Sequence, residues 1–416
     1  MIRSLFTGIS GIKSNQMAIE VVGNNIANIN TPAYKANQAS FADSLSLYLR
    51  AGTSPTSSKG GINPMQIGNG SSIGSISSPF TQGSIEITSN PNDLAIAGNG
   101  FFILKNGDRQ YYTRDGSFGI DAAGNLVDPA TGFVVQGRMA DNSGKITSSA
   151  RVDNITVDPN TLAPAKATSK ISLTGNLNSE AKANDSYQMS VMAYDSLGNT
   201  HNILVTFEKA TDNEWSWRAE LSPGNGNTLE PAEKNKLKFE SNGKIDNNAP
   251  DAPTNASLKI SFKNGATTPQ TISLDFSKLV QFSDNFSPIA SERDGYGAGL
   301  LESMRFDESG TLVGTFSNGI TQKLAQLVLA DFSNPEGLTK IGSNLYDISA
   351  NSGMPKMGYA GEEIRASIVP GALESSNVDL ANEFVRMMIA QRGFEANSRV
   401  ITTSDSILGE LVNLKR

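Results

Sequence analysis

The sequence predicts an α+β protein in which N- and C-terminal helices pair as a coiled-coil-like base and nested β-rich domains occupy the middle. Three observations support this prediction. Both ends carry apolar residues at heptad spacing, a Gly- and Ser-rich segment follows the first end, and the long middle alternates short period-two runs with Gly and Asn turns.

The N-terminal 29 residues contain one column in which every seventh residue is apolar, a spacing typical of a helix with a narrow seam. The column consists of Leu5, Ile12, Ile19 and Ile26. We expect this helix to fray toward residues 28–30 and to stop before Pro32, because a residue that precedes proline is disfavoured in the helical region.

Residues 377–413 predict a second helix, with Ser376 as its N-cap and Asp379 completing a capping box. Its seam column consists of Leu380, Met387, Phe394, Ile401 and Leu408. A companion column starts at Phe384 and continues through the polar residues Gln391, Ser398 and Asp405. A closed two-helix coil rarely tolerates a continuous polar column, so this helix is expected to have a narrow apolar seam and a second, wetter contact. One amphipathic helix on a globular core is the alternative.

The middle of the chain has the pattern of β-structure. The stretch from Tyr187 to Phe207 predicts a hairpin, since its two halves alternate apolar and polar residues around a Gly-Asn turn. We expect discontinuous nested domains. They comprise a helical domain (1–33 and 372–416), an extended connector (34–82), an inner β-domain (83–150 and 296–371) and an outer β-domain (151–295).

The composition excludes several classes of function. The net charge is −7 without a Lys/Arg cluster, which argues against nucleic-acid partners and anionic membrane surfaces. The chain has no Cys, so thiol catalysis, thiolate metal sites and disulfides are ruled out. We expect no membrane insertion and no cleaved secretory signal, because no long apolar run and no continuous apolar h-region are present.

Residues suited to catalysis are scarce. His201 is the single histidine and lies at a strand start after a turn, where an exposed or half-satisfied ring is expected. A nucleophile–histidine–carboxylate device or a histidine metal site would depend on this one residue. The sequence therefore predicts neither enzyme activity nor a metal or cofactor.

The stretch GNNIANINTPAYK, Gly23 to Lys35, places turn chemistry directly after the first helix. Asn tolerates the left-handed region and can cap free backbone groups. We interpret the stretch as a hinge at which the chain leaves the helical base, with its Asn residues setting geometry and bonding between subunits. The hinge residues are Asn24, Asn25, Asn28, Pro32, Ala33 and Tyr34.

Both ends resemble the bacterial flagellar rod and hook axial protein family. The resemblance rests on LFTGISGIKSNQMAIEVVGNNIANINTPAYKANQASFAD near the start and VDLANEFVRMMIAQRGFEANSRVITTSDSILGELVNL near the end. The stretches beginning GNGFFIL and LTGNLNS are similar to the family's β-domains. The family commonly has Gly where this chain has Ala33. Since Ala strongly disfavours positive φ, we expect ordinary backbone angles in this turn.

The resemblance implies a structural subunit of the flagellar hook, exported unfolded and built into a curved tube that joins rod to filament as a universal joint. The implied partners are other copies of the chain, the rod, hook cap and hook–filament junction proteins, and the flagellar type III export apparatus. A distal rod component is the first alternative, and a secreted β-rich hydrolase or adhesin the second.

In the unassembled chain we expect a protease to cut both terminal helices before the β-rich middle. Ordering a helix costs about 1–2 kcal/mol per residue in backbone entropy, and a narrow seam offsets little of that cost. Limited trypsin digestion with mass spectrometry should detect early cuts within residues 1–30 and 377–416. Ends that stay intact while the middle is cleaved would show that assembly is not what orders them.

Overall fold

The computed structural model describes residues 2–56, 59–141, 144–147, 151–158, 160–222, 227–230, 236–246 and 254–414. It is mostly β-structure between two α-helices, α1 (Ile2–Ala27) and α2 (Leu380–Leu414), which pack together. A single 3-10 turn occupies Pro335–Gly337 within the described ranges. The two helices occupy the ends at which heptad spacing predicted them.

The strands are short because Gly and Asn turns interrupt them frequently. In chain order they are β1 (Gln38–Asp43), β2 (Ser46–Arg50), β3 (Met65–Gly68), β4 (Ser71–Ser77), β5 (Ile85–Ile87), β6 (Leu94–Gly98), β7 (Phe101–Asn106), β8 (Arg109–Thr113), β9 (Gly119–Ile120), β10 (Leu126–Val127), β11 (Val134–Met139), β12 (Asp153–Asn154), β13 (Leu162–Ala163), β14 (Lys170–Asn178), β15 (Ser186–Tyr194), β16 (Thr200–Thr211), β17 (Glu214–Leu221), β18 (Thr228–Glu230), β19 (Lys236–Lys238), β20 (Asn255–Ser261), β21 (Gln270–Phe282), β22 (Ile289–Arg293), β23 (Gly299–Phe306), β24 (Thr311–Phe316), β25 (Thr321–Leu327), β26 (Leu329–Asp331), β27 (Thr339–Gly342), β28 (Leu345–Asp347), β29 (Lys356–Gly358), β30 (Ala366–Pro370) and β31 (Ala372–Glu374).

The chain divides into two compact units, each assembled from separate stretches of sequence. The first unit comprises Met1–Val157, Arg305–Val313 and Lys323–Arg416. The second comprises Asp158–Met304 and Gly314–Gln322.

The first unit contains the helix pair and a sheet that we call the inner sheet, with strand order β25-β11-β7-β8-β28-β27. One face of the inner sheet carries an aromatic core in which Phe101, Tyr112 and Phe332 meet edge to face. Two short antiparallel pairs, β6 with β30 and β5 with β31, bring the chain back toward the helices.

The residues predicted as an extended connector contain paired strands. β1 pairs with β4, and β2 pairs with β3, in two antiparallel two-stranded sheets. The β1–β4 pair packs against α1, where Ser14 Oγ donates to Ser71 O at 3.2 Å. This stretch therefore gains local order from strand pairing, although its composition is rich in Gly and Ser.

The second unit is built from two sheets, with strand orders β18-β20-β21-β14-β22 and β15-β16-β17-β19. Its core is apolar and includes both tryptophans of the chain, Trp215 and Trp217. The hairpin predicted from alternation is confirmed, since β15 pairs with β16 in antiparallel register with Tyr187 opposite Phe207. Ring contacts such as Phe207 with Phe276, at 6.2 Å between centroids, lie in the same core.

Replacing Phe207 with Ala should destabilise the second unit by about 3–5 kcal/mol, because it removes a fully buried ring and leaves a cavity. Urea unfolding followed by Trp fluorescence measures this change, as both tryptophans belong to this unit. The control is Leu197→Ala in the same unit, because Leu197 is exposed. Equal unfolding midpoints for the two variants would contradict the assigned core.

Candidate functional site

The two helices run in opposite directions along their contact. Ser4 Oγ lies 3.1 Å from Ser404 Oγ near one end of the pair. Near the other end, Asn25 Nδ2 donates to Glu383 Oε2 at 3.1 Å. The first turn of α1 therefore lies beside α2 near Ser404, and the last turn of α1 lies beside the first turn of α2.

Small and polar residues form the centre of the helix contact. A Cβ added to Gly11 would lie 2.6 Å from the Asn397 side chain, and one added to Gly393 would lie 2.7 Å from Asn15. Glycine at these positions lets the two helix backbones approach closely. Four further buried side chains of the two helices are small, namely Ser14, Ala18, Ala390 and Ser404, while Val22, Asn25 and Glu383 are larger buried ones.

Most of the predicted seam residues flank this contact, whereas Ile401 packs directly against Gly8. Those with half-buried side chains are Leu5, Ile12, Ile19, Ile26, Met387, Ile401 and Leu408. The more exposed ones are Leu380, Phe384 and Phe394. In the companion column Ser398 is half-buried, whereas Gln391 and Asp405 are exposed. Within one chain the apolar columns therefore retain surface that the helix pair does not cover.

The start of α2 corrects one expectation. Asp379, and not Ser376, is the N-cap, because Asp379 Oδ1 accepts hydrogen bonds from the amides of Ala381 at 2.9 Å and Asn382 at 3.2 Å. Ser376 Oγ instead accepts from the amide of Val378 at 3.3 Å, one turn too early to cap the helix. A carboxylate also suits the positive end of the helix dipole.

Asn25 connects the end of α1 to both neighbouring segments. Its Oδ1 accepts from the amide of Asn37 at 2.8 Å, while its Nδ2 donates to Asn37 O at 2.8 Å and to Glu383 Oε2 at 3.1 Å. The Tyr34 hydroxyl also lies 3.4 Å from Asn25 Oδ1. Asn25 is fully buried, so its hydrogen bonds are made inside the chain and not to another subunit, which corrects that part of the interpretation.

The other hinge residues shape the turn after α1 locally. Asn28 Nδ2 donates to Asn24 O and to Asn24 Oδ1, both at 2.9 Å, and Asn28 Oδ1 accepts from Thr31 Oγ1 at 3.2 Å. Pro32 O accepts from Asn344 Nδ2 at 2.8 Å. These Asn residues satisfy backbone groups where α1 ends, as their residue type predicted.

The expectation of ordinary backbone angles at Ala33 was wrong. Ala33 has φ +56°, in the left-handed region. Its amide donates to Glu374 O at 2.7 Å, and its side chain is buried. This hydrogen bond and the burial of the Ala33 side chain hold the chain in this conformation, which costs about 1–2 kcal/mol for an L-residue other than Gly. The turn therefore keeps the conformation that suits Gly although the residue is Ala.

Beside Ala33 lies a buried cluster of charges. Lys35 Nζ is 2.6 Å from Glu374 Oε1, and both side chains are 0% exposed. The same Nζ donates to Thr81 O at 2.8 Å, and Glu374 Oε1 accepts from the amide of Gly83 at 2.8 Å. Arg114 approaches Glu374 Oε2 with its Nε at 3.6 Å. Three buried charges from distant parts of the sequence thus converge at one point.

Burial and charge determine the ionisation of this cluster. Burial lowers the pKa of Lys35, and the neighbouring Glu374 carboxylate opposes that shift. Burial also lowers the pKa of Arg114, again against the field of Glu374. Tyr34 nearby has its pKa raised by burial and by Glu383. The Glu374 carboxylate allows the two cations, Lys35 and Arg114, to remain charged in a site without solvent.

Sequence reasoning missed the cluster. Lys35 closes the hinge stretch, but its partner Glu374 lies 339 residues further along the chain. A lysine and a glutamate are usually solvated, so nothing in their residue types indicated burial. A possible signal was the position of Lys35 beside Pro32 and Tyr34, in a stretch already marked by its turn chemistry.

The environment of His201 differs from the expectation of an exposed or half-satisfied ring. Its Nε2 lies 3.0 Å from Asp195 Oδ2 and its Nδ1 lies 3.4 Å from Asn227 Nδ2, while the ring packs on Phe262. Burial opposes ionisation of Asp195, but hydrogen bonds from His201, Asn199 and Asn264 hold its pKa below the usual range. His201 therefore organises a turn of the second unit.

Among the described residues, no three His, Cys, Asp or Glu side chains are grouped so that they could hold a metal ion. Neither helix is long and apolar enough, over its described residues, to cross a membrane.

Four family models match successive parts of the chain. Residues 5–35 match the Flagella basal body rod protein model, and residues 369–414 match the Flagellar basal body rod FlgEFG protein C-terminal model. Residues 95–176 match the Flagellar hook protein FlgE/F/G D1 domain, and residues 161–296 match the Flagellar basal body protein FlaE D2 domain. The helical ends and the β-rich middle thus have the features of flagellar axial proteins.

Similar proteins narrow this class further. The chain is 34% identical to the flagellar hook protein FlgE of Treponema pallidum, with 100% of both chains covered. It is 36% identical to FlgE of Escherichia coli, with 98% of both chains covered. The chain belongs to the flagellar hook protein family. The fold is also similar to the crystal structure of Helicobacter pylori flagellar hook protein FlgE2, with a TM-score of 0.52 at 16% identity over 70% of this chain and 100% of that one.

Replacing Ala33 with Gly should stabilise the turn by about 1 kcal/mol, because Gly adopts positive φ without the steric cost of a Cβ. Hydrogen exchange of the peptide spanning residues 31–37 should then slow by about fivefold. The control is Ala36→Gly, since Ala36 lies outside the left-handed region and should gain nothing. Faster exchange in Ala33→Gly than in the parent chain would refute strain at this position.

Proposed function

We propose that this chain is a structural subunit of the bacterial flagellar hook, which polymerises with copies of itself into a curved tube. The tube would act as a universal joint between rod and filament. Relatives named as flagellar hook proteins and aligned over nearly the whole chain support this function. The role is mechanical, so the residues that matter are those that bind neighbouring copies and those that keep each subunit in shape.

The observation that carries the proposal is the apolar surface that the helix pair leaves uncovered. On α2, Phe384 is 50% exposed and Ile389 is 67% exposed, and Val385 and Met388 are exposed beside them. On α1, Phe6, Ile9 and Met17 are exposed as well. Contiguous apolar surface of this kind marks a site of association, and copies of the same chain would bury it.

The seam columns fit the same interpretation. Within one chain the helices meet mainly through Gly, Ala, Ser and Asn together with Ile401, which leaves Leu380, Phe384 and Phe394 free to contact a neighbour. We infer that helices from several copies together complete a coiled-coil-like base in which these residues pack. The exposed Gln391 and Asp405 would then face a wetter contact or a channel.

The domain organisation proposed from the sequence suits a layered tube. The helical domain (1–33 and 372–416) would form its inner layer, with the connector (34–82) leading outward. The inner β-domain (83–150 and 296–371) and the outer β-domain (151–295) would form shells. The match of residues 161–296 to the FlaE D2 domain model supports an outer domain in this part of the chain.

Export and partners follow from the same role. We propose that the chain travels unfolded through the flagellar type III pathway without a cleaved signal and assembles beneath a hook cap. Its neighbours would be the rod on one side and hook–filament junction proteins on the other. The absence of Cys suits such a path, because a disulfide would cross-link the chain before it had passed through the channel.

A distal rod component is the second candidate, because rod-protein models match both ends of the chain. Antibody labelling of isolated basal bodies with attached hooks distinguishes the hook subunit from the rod component. Label along the hook supports the proposed function, whereas label confined to the rod would overturn it. Purified chain that polymerises into curved tubes, seen by electron microscopy, would support the hook independently.

Replacing Phe384 or Phe394 with Asp should abolish hook assembly while export continues, because a charge would enter the apolar surface between copies. Electron microscopy of the cells and immunoblotting of the medium measure the two outcomes separately. The control is Met354→Asp, which also replaces an exposed apolar side chain with Asp, at a residue that is 80% exposed and lies outside both helices. Normal hooks in both Phe variants would refute the assigned interface.

A further inference from the structure

A polar cavity lies at one end of the inner sheet, within the first unit. The turn between β7 and β8, the end of β28 and the residues just before β12 line it. Its volume of about 470 Å³ is within the range of small-molecule sites, which is about 300–1,000 Å³. We call it the sheet-end cavity. It lies outside both helices, so the apolar surface proposed for polymerisation does not account for it.

Two buried polar side chains line the sheet-end cavity with hydrogen-bonding atoms left over. Among the residues that the structure describes, neither the Tyr112 hydroxyl nor Gln136 Oε1 has a hydrogen-bond partner. Tyr112 is 0% exposed and Gln136 is 1% exposed. Buried polar atoms are nearly always hydrogen-bonded. Two exceptions in the lining of one cavity therefore indicate a site for a polar ligand.

The surroundings of these two atoms define what each can bond. Gln136 Nε2 donates to Asn154 Oδ1 at 2.6 Å, so Gln136 Oε1 remains as an acceptor. Burial, together with the negative charge of Asp347, raises the pKa of Tyr112 to about 12. The Tyr112 hydroxyl therefore keeps its proton at neutral pH and can donate. Hydroxyl groups on a ligand suit both atoms, because a hydroxyl donates and accepts.

The ionisable side chains of the lining show which charge the ligand carries. The cations are Lys105, Arg109 and Arg151, and the carboxylates are Asp108 and Asp347, which leaves a net charge of +1. A ligand with one negative charge neutralises this lining. A phosphate ester carries about −1.5 to −2 at neutral pH and would leave it negative. The charge balance therefore favours a single carboxylate on the ligand.

The cations differ in how free they are to bind that carboxylate. Arg151 already approaches Asp153 Oδ1 at 3.6 Å. Lys105 and Arg109 make no such ion pair with the described residues. Lys105 is half-buried, so its charge is screened less by solvent than the charge of an exposed side chain. Lys105 and Arg109 are therefore assigned to the carboxylate.

We propose that the sheet-end cavity binds a sugar acid, a small ring that carries several hydroxyl groups and one carboxylate. The carboxylate pairs with Lys105 and Arg109, and the hydroxyl groups bond Tyr112, Gln136 and the Asp347 carboxylate. The aspartates also select against simple anions, because a carboxylate repels an anion that offers it no hydroxyl. This binding goes beyond the proposed structural role and does not depend on polymerisation.

Three probes test the proposal on the purified, unassembled full-length chain, with affinities measured by saturation-transfer NMR. Glucuronate has ring hydroxyls and a carboxylate, glucose has the hydroxyls alone, and acetate has the carboxylate alone. Glucuronate should bind at least about tenfold more tightly than either of the others, because only it engages both parts of the lining. Equal affinity for glucuronate and acetate, or no glucuronate binding up to about 10 mM, would overturn the proposal.

Two substitutions locate the binding. Tyr112→Phe removes the hydroxyl and keeps the ring, and should weaken glucuronate binding about fivefold. Lys105→Gln removes one charge and should weaken it about tenfold. The matched controls are Tyr359→Phe and Lys323→Gln, at residues of the same unit that do not line the cavity. Unchanged affinity in both Tyr112→Phe and Lys105→Gln would place any binding elsewhere and refute the assigned site.

The Tyr359 control also tests the unpartnered hydroxyl itself. Tyr359 belongs to the same aromatic core as Tyr112, and its buried hydroxyl likewise has no partner among the described residues. Without ligand, the two Tyr→Phe variants should therefore unfold at the same urea concentration, because neither loses a hydrogen bond within the chain. A lower midpoint for Tyr112→Phe would show that the chain itself satisfies this hydroxyl, and the proposal would fail.

A disaccharide that ends in glucuronate distinguishes the two sources of such a ligand. Tighter binding of the single sugar assigns the site to a free sugar acid. Equal or tighter binding of the disaccharide assigns it to the end of a polysaccharide. The outcome is separate from the proposed function, because a chain that binds glucuronate and never appears in hooks would refute the hook assignment alone.

Discussion

The ion pair between Lys35 and Glu374 is the interaction on which the arrangement of the first unit depends. Both side chains are buried, and the two residues lie 339 positions apart in sequence. A buried charge is tolerable only when it is paired and hydrogen-bonded, so each residue fixes the position of the other. The segment that leaves α1 and the strand that precedes α2 are thereby held at one point, so the end of α1 lies beside the start of α2.

The helix pair divides its residues between two kinds of contact. Glycine and small polar side chains, such as Gly11 opposite Asn397, bring the two backbones of one chain close together. Such a contact buries little apolar surface, so the larger side chains of Phe384 and Ile389 remain exposed. A subunit built in this way has its own fold but still lacks part of its apolar packing. Polymerisation would supply that packing and thereby favour the folded helical ends.

Much of the fold could be predicted because it depends on local pattern. The spacing of Leu5, Ile12 and Ile19 indicated a helix, and alternation around Gly198 and Asn199 indicated the β15–β16 hairpin. For the candidate site, the sequence predicted only which stretch of the chain it occupies and not its contacts. Residue type suggested a turn at Asn24 to Tyr34, but not that Asn25 would be buried against Glu383. The angles of Ala33 were mispredicted because a tertiary hydrogen bond to Glu374 O outweighs the intrinsic preference of alanine.

The sequence by itself determined the helical ends, the β-rich middle and the membership of a family of flagellar proteins, because periodicity, turn residues and long local motifs are properties of neighbouring residues. Only the tertiary structure decided which face of each helix meets the other, and that Asn25, Ala33 and Lys35 are buried. Those features depend on pairs such as Lys35 with Glu374 and Gly11 with Asn397, which the fold brings together across more than 300 residues. The chemistry of a buried contact depends on both partners. The sequence around one residue does not indicate which distant residue will be its partner.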